Sequence, residues 1–117
     1  MTKLDILFIH PNASKEIYQE LSKSYAAIEP PIWAGLLCGH CLYRGFSAEI
    51  LDCEVWGLTD DESAIKVGEY NPRVACFVIY GQQPSASTQN MGGAVALAEK
   101  VKALYPHIKI LFVGGHV

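Results

Sequence analysis

Glycines and uncharged polar side chains follow two of the apolar runs in this sequence. Tyr80-Gly81-Gln82-Gln83-Pro84-Ser85 comes after one run, and Gly114-Gly115-His116 comes after the next. A glycine lets a ligand approach the backbone closely, and glutamine and serine offer uncharged hydrogen-bond donors and acceptors. Because parallel strands end at one edge of their sheet, the two segments together predict a ligand pocket. Capping of a helix by Ser85 or Ser87 is the structural alternative.

This predicted pocket lacks the signature of a phosphate-binding loop. Neither G-x-x-x-x-G-K-[ST] nor G-x-G-x-x-G occurs in the sequence. The glycine pattern therefore indicates neither a nucleoside triphosphate nor a dinucleotide as the ligand.

A histidine and an aspartate end two further apolar runs. His10-Pro11-Asn12 leaves the first run, and an imidazole there could ligate a metal, transfer protons or cap a turn, with a structural role favoured. Asp52 ends the second run, where an aspartate is expected to tether a neighbouring loop. Both residues are predicted to lie at the same sheet edge as the polar segments.

The tetrapeptide Cys38-Gly39-His40-Cys41 is identical to the redox site of protein disulfide isomerases. In those proteins the first cysteine lies at a helix N-terminus, which lowers the pKa of its thiol. Here a predicted helix begins about two turns earlier, so Cys38 and Cys41 are expected to face the core as small buried thiols. A thiol–disulfide oxidoreductase stays open as an alternative, and a zinc site is less favoured because no further ligands occur at suitable spacing.

The elements that position these residues form an alternating pattern. Strands are predicted at 4–9, 48–51, 74–80 and 108–113, and helices at 31–43, 60–70 and 85–104. Nearly continuous apolar runs are typical of parallel strands covered on both faces. The sequence thus predicts one α/β domain over residues 1–117, a flavodoxin-like parallel sheet of order 2-1-3-4 with helices on both faces.

Local signals predict where the helices end and which face is buried. Gly45 is expected to stop the first helix, and Asn71-Pro72 to close the second. In the third helix, the core face is predicted from Met91, Val95, Ala98 and Val101. The connection at 11–30 is much longer than usual, and the end after Gly114-Gly115-His116 suggests truncation before a fifth strand.

Composition excludes several classes of function. The net charge is −3 and the pI is about 5.7, so the basic surface of a nucleic-acid-binding protein is not expected. The first residues have too short an apolar run for a signal peptide or a membrane span. The expected location is the cytoplasm.

The ordered set of these segments resembles the N-terminal cobalamin-binding domain of B12-dependent radical SAM enzymes. The resemblance spans nearly the whole chain, and it is carried by His10-Pro11-Asn12, Pro30-Pro31-Ile32-Trp33-Ala34-Gly35-Leu36-Leu37, Arg44-Gly45-Phe46-Ser47-Ala48-Glu49-Ile50-Leu51-Asp52, Asn71-Pro72-Arg73-Val74 and Ile108-Lys109-Ile110-Leu111-Phe112-Val113-Gly114-Gly115-His116.

The resemblance implies a cobalamin whose nucleotide tail enters along the strand ends while the corrin lies across them. The implied contacts are His10, Asn12, Tyr80, Gly81, Gln82, Gln83, Ser85, Gly114, Gly115 and His116. It also implies that S-adenosylmethionine and a [4Fe-4S] cluster are bound by a downstream radical SAM domain, and that the whole enzyme is a methyltransferase. The fragment is expected not to catalyse alone.

Two motifs of related proteins are absent from this sequence. The D-x-H-x-x-G motif of methionine-synthase-type domains is missing, since residue 7, two after Asp5, is a leucine. A protein histidine on cobalt is therefore not expected. No C-x3-C-x2-C cluster motif occurs either, and a flavodoxin-like small-ligand or regulatory module is kept as an alternative function.

Overall fold

The computed structural model describes residues 4–11, 32–79 and 84–114, and for residues 84–91 it describes the backbone helix without the side chains. The elements in chain order are β1 (Leu4–His10), α1 (Ile32–Tyr43), β2 (Ala48–Asp52), α2 (Cys53–Trp56), α3 (Asp60–Tyr70), β3 (Pro72–Ile79), α4 (Pro84–Leu104) and β4 (Lys109–Gly114). All predicted strands and helices are present within a few residues of their expected ends. The short helix α2 was not predicted.

The four strands form one parallel sheet in the order β2-β1-β3-β4, as the sequence predicts. β1 and β3 lie in the middle, and their side chains are almost entirely apolar and largely buried. The register pairs His10 with Asp52 at one end of the sheet and Ile79 with Gly114 further along the same edge. His10 and Gly114, two of the residues predicted to form a ligand site, therefore lie at the same edge, the carboxyl edge.

Helices cover both faces of this sheet, which confirms the predicted architecture. Alternate strand residues such as Leu7 and Phe77 pack with α3 and α4 in one buried cluster. The residues between them, such as Phe8 and Cys76, pack with α1 in a second cluster. The alternation follows from the two-residue period of a strand, so every central position faces one of the two cores.

Backbone capping ends helix α1 where the sequence predicts. Gly45 has φ 92°, a conformation that glycine adopts without steric cost. Its N–H donates to the carbonyl of Leu42 at 3.0 Å, and the N–H of Phe46 donates to the carbonyl of Cys41 at 3.0 Å. The pair of bonds is a Schellman motif, which satisfies carbonyls that the helix leaves unpaired.

Helix α3 is closed at both ends by side-chain and backbone caps. The Thr59 hydroxyl accepts from the N–H of Glu62 at 3.1 Å, and the Glu62 carboxylate accepts from the N–H of Thr59 at 2.9 Å. Asn71, at φ 48°, ends the helix, and its N–H donates to the carbonyl of Val67. The predicted stop at Asn71 is confirmed, and the capping box explains why α3 begins at Asp60.

The buried face of α4 differs from the predicted one by a small rotation. Ala98 and Val101 are buried as expected, but Val95 is partly exposed, so its assignment to the core was wrong. The side chain of Met91 lies outside the described residues. The observed stripe is Ala94, Leu97, Ala98 and Val101, because helix packing selects a continuous i, i+3, i+4, i+7 face even where it includes a small alanine.

Some apolar surface is left uncovered. Leu111 on the edge strand β4 pairs in register with Cys76 and is about half exposed, because it lies on the α1 side of the sheet beyond the reach of that helix. Among the described residues, the longest helices are too short or too polar to cross a membrane.

Candidate functional site

The carboxyl edge of the sheet holds the predicted site residues that the structure describes. His10 ends β1, Gly114 ends β4, and Ser85 lies in the first turn of α4. The other predicted contacts lie outside the described residues: Asn12, Tyr80, Gly81, Gln82, Gln83, Gly115 and His116. Their assignment to the pocket stays a prediction.

His10 lies between two carboxylates. Its Nδ1 is 3.2 Å from Oδ1 of Asp52, and its Nε2 is 3.2 Å from Oε2 of Glu54. The carboxylate side chains are only 12% and 8% exposed. A protonated imidazole ring would thus place its positive charge between two nearly buried negative ones.

The short helix α2 brings Glu54 to this position. Oδ1 of Asp52 accepts a hydrogen bond from the N–H of Val55 at 3.1 Å and so caps the helix. Gly57, at φ 62°, closes the other end, and its N–H donates to the carbonyls of Cys53 and Glu54. The tethering role expected for Asp52 is confirmed, and Asp52 contacts both α2 and His10.

Sequence reasoning missed Glu54 as a partner of His10. The two residues are far apart in the chain, and α2 is too short to produce a helical periodicity. The available signal was local: Asp52 and Gly57 are a typical cap and stop, five residues apart, around a single turn. That signal would predict the turn, but not the contact of Glu54 with the imidazole.

Asp52 and Glu54 place two carboxylates at the described part of the carboxyl edge. In the sequence, segments 53–59, 80–83 and 115–117, which follow three of the strands, contain no lysine or arginine. In contrast, Arg73 and Lys109 lie at the starts of their strands, at the opposite edge. A search of the described residues finds no group of three His, Cys, Asp or Glu side chains arranged to hold a metal ion.

Gly114 has a structural reason to be glycine. A Cβ atom at this position would collide with the carbonyl oxygen of Ile79, its neighbour on β3. This oxygen belongs to the backbone and cannot move as a flexible side chain would. The close contact between β3 and β4 therefore requires glycine at position 114 whether or not a ligand binds. Contact of a ligand with the backbone of Gly114 stays a prediction.

The cysteine pair lies within α1 rather than at its start. Cys38 is buried, Cys41 is half-buried, and both pack in the cluster that contains Cys76 from β3. Burial raises the pKa of the Cys38 thiol, and it raises that of Cys76 to about 11. The Cys38 and Cys76 thiols are thereby held in the protonated, unreactive form. The packing of Cys38 and Cys41 in this cluster agrees with the core role that the sequence predicts.

Comparisons with protein-family models, curated proteins and solved structures find no match to this chain.

Proposed function

We propose that this chain binds cobalamin at the carboxyl edge of its sheet, as the B12-binding module of a radical SAM methyltransferase. The observation that carries the proposal is the parallel order β2-β1-β3-β4. In such a sheet, the connections leaving β1 and β3 pass to opposite faces, and a crevice opens between the ends of these two strands. Three of the segments that carry the resemblance to B12 domains contain strand ends at this edge, namely His10 of β1, Asp52 of β2 and Gly114 of β4.

The composition of the segments after β2, β3 and β4 supports a ligand whose contacts are mostly uncharged. A flavin or nucleotide phosphate is usually bound by cations, by a helix N-terminus or by a glycine-rich loop. The segments that follow β2, β3 and β4 contain no lysine or arginine, whereas Asp52 and Glu54 are negative; Lys15 and Lys23 belong to the connection after β1. The rim of a corrin carries uncharged amides, which suit glutamine, serine and carboxylate partners.

His10 fits a cobalamin site in which no protein histidine coordinates cobalt. Both ring nitrogens lie 3.2 Å from carboxylate oxygens, so the imidazole is directed at Asp52 and Glu54. Electron paramagnetic resonance of the Co(II) state tests this point, because an axial nitrogen splits each cobalt line into three. We expect that His10 causes no triplet splitting of the cobalt lines. If the wild-type protein shows triplets that disappear in His10→Ala, His10 coordinates cobalt and this part of the proposal is refuted.

The remaining chemistry is assigned to a domain outside this chain. Bound cobalamin supplies a cobalt centre for methyl transfer, and the residues here bind and orient it. S-adenosylmethionine and a [4Fe-4S] cluster would be held by the downstream radical SAM domain, in a cytoplasmic enzyme.

Equilibrium dialysis of the purified chain against hydroxocobalamin tests the proposal. We expect a coloured protein with one cobalamin per chain, and loss of binding in Gly115→Val with the circular dichroism spectrum retained. A chain that stays colourless would contradict cobalamin binding and favour a flavodoxin-like small-ligand or regulatory module.

An oxidoreductase function is less well supported. The thiols of Cys38 and Cys41 lie mid-helix, without the free N–H groups that stabilise a thiolate. Cys38→Ala/Cys41→Ala should therefore leave cobalamin binding intact, whereas reduction of insulin by the wild-type chain would revive the redox function.

A further inference from the structure

Helix α2 presents two exposed apolar side chains at the carboxyl edge. Val55 is 53% exposed and Trp56 is 73% exposed. They follow β2 directly and adjoin the cluster formed by Asp52, Glu54 and His10. A single exposed apolar residue is common in proteins. This pair lies beside a nearly buried charged cluster, at the edge where α/β sheets bind ligands.

The backbone beneath these side chains is held in place. Asp52 caps the start of α2, Gly57 closes its end, and the N–H of Leu58 donates to the carbonyl of Cys53 at 3.0 Å. Cys53 itself is fully buried. Because the turn is anchored at both ends, little backbone freedom would be lost when a ligand packs against Trp56.

We propose that Trp56, with Val55 beside it, is an apolar contact surface for the corrin ring of bound cobalamin, an inference that rests on the proposed function. A corrin is a large ring system with an apolar body, and tryptophan offers a large, rigid contact area at low entropic cost. Helix α2 contains no lysine or arginine, so Val55 and Trp56 offer the ring apolar contact, beside the carboxylates of Asp52 and Glu54.

Titration with hydroxocobalamin measures the contribution of this surface. We expect Trp56→Ala to weaken binding about tenfold and Trp56→Phe to restore most of the loss, because phenylalanine keeps an aromatic face. The matched control is Tyr43→Ala. Tyr43 is 86% exposed at the end of α1, at the opposite edge of the sheet, so its removal should leave the affinity unchanged.

Fluorescence supplies a second, independent readout. The chain contains two tryptophans, so Trp33→Phe leaves Trp56 as the sole indole. Stoichiometric hydroxocobalamin should quench its emission strongly, because the corrin would lie in contact with the ring. Wild-type affinity in Trp56→Ala, or unquenched Trp56 emission in a chain that binds cobalamin, would overturn this inference alone. A wild-type chain that binds no cobalamin would overturn the proposed function and this inference together.

Discussion

Replacement of His10 by alanine tests whether the charged cluster at the carboxyl edge holds the fold together. The change removes two contacts of 3.2 Å and leaves Asp52 and Glu54 without the imidazole between them. Removing one partner of a fully buried ion pair costs about 3–5 kcal/mol. Because these side chains are about a tenth exposed, we expect the lower end, about 3 kcal/mol.

This loss should be visible in both chemical and thermal unfolding. For 117 residues, the entropy of unfolding is about 0.25 kcal/mol per kelvin, so a loss of about 3 kcal/mol lowers Tm by about 12 °C. Urea unfolding followed by tryptophan fluorescence gives the free energy directly. His107→Ala is the matched control. Its Nε2 lies 3.1 Å from Oδ1 of Asn71 at an exposed position and its ring meets Tyr105 edge-on, so its loss should cost about 1 kcal/mol.

A second substitution separates charge from packing. In His10→Ala/Glu54→Gln the negative charge of residue 54 is removed while its shape is kept, so we expect about half of the lost stability to return. A cost below about 0.5 kcal/mol for His10→Ala, or no recovery in the double variant, would refute the electrostatic account of this cluster.

Three further outcomes follow from packing and burial. Gly114→Ala should lower the free energy of unfolding by at least about 2 kcal/mol, because the new Cβ would meet a backbone carbonyl. Gly92 lies in open space on α4, so the control Gly92→Ala should raise the free energy of unfolding by about 0.5–1 kcal/mol. Equal effects of the two substitutions in urea unfolding would contradict this. Burial raises the pKa of Cys53 and Cys76 to about 11 each, so the folded state keeps these protons while unfolded thiols, with pKa near 9.0, lose them. The free energy of unfolding should therefore fall as pH rises from about 9 to 11, by about 2 kcal/mol for each thiol. If Cys53→Ala/Cys76→Ala shows the same dependence of stability on pH, these thiols are excluded as its cause. β4 is an outer strand of the described sheet and Leu111 on it is about half exposed, so the chain should self-associate in light scattering and Leu111→Lys should reduce this; a wild-type chain that stays monomeric at high concentration would refute the expectation.

The sequence by itself determined the four strands, the three longer helices and the parallel pairing. Nearly continuous apolar runs require burial on both faces, which favours parallel strands joined by helices. Several strand orders satisfy these rules, and the order 2-1-3-4 is the one that the flavodoxin-like resemblance implies. Local stops such as Gly45 and Asn71 were also predictable, because a left-handed residue at a helix end depends on its immediate neighbours alone.

Contacts between distant segments were decided only by the tertiary structure. Asp52 was expected to tether a loop, but the position of His10 between Asp52 and Glu54 depends on the register of β1 against β2 and on a single turn of helix. The need for glycine at 114 arises from the carbonyl of Ile79 on the neighbouring strand. These features are set by how the elements pack against each other in three dimensions, which the hydrophobic pattern of one segment does not encode.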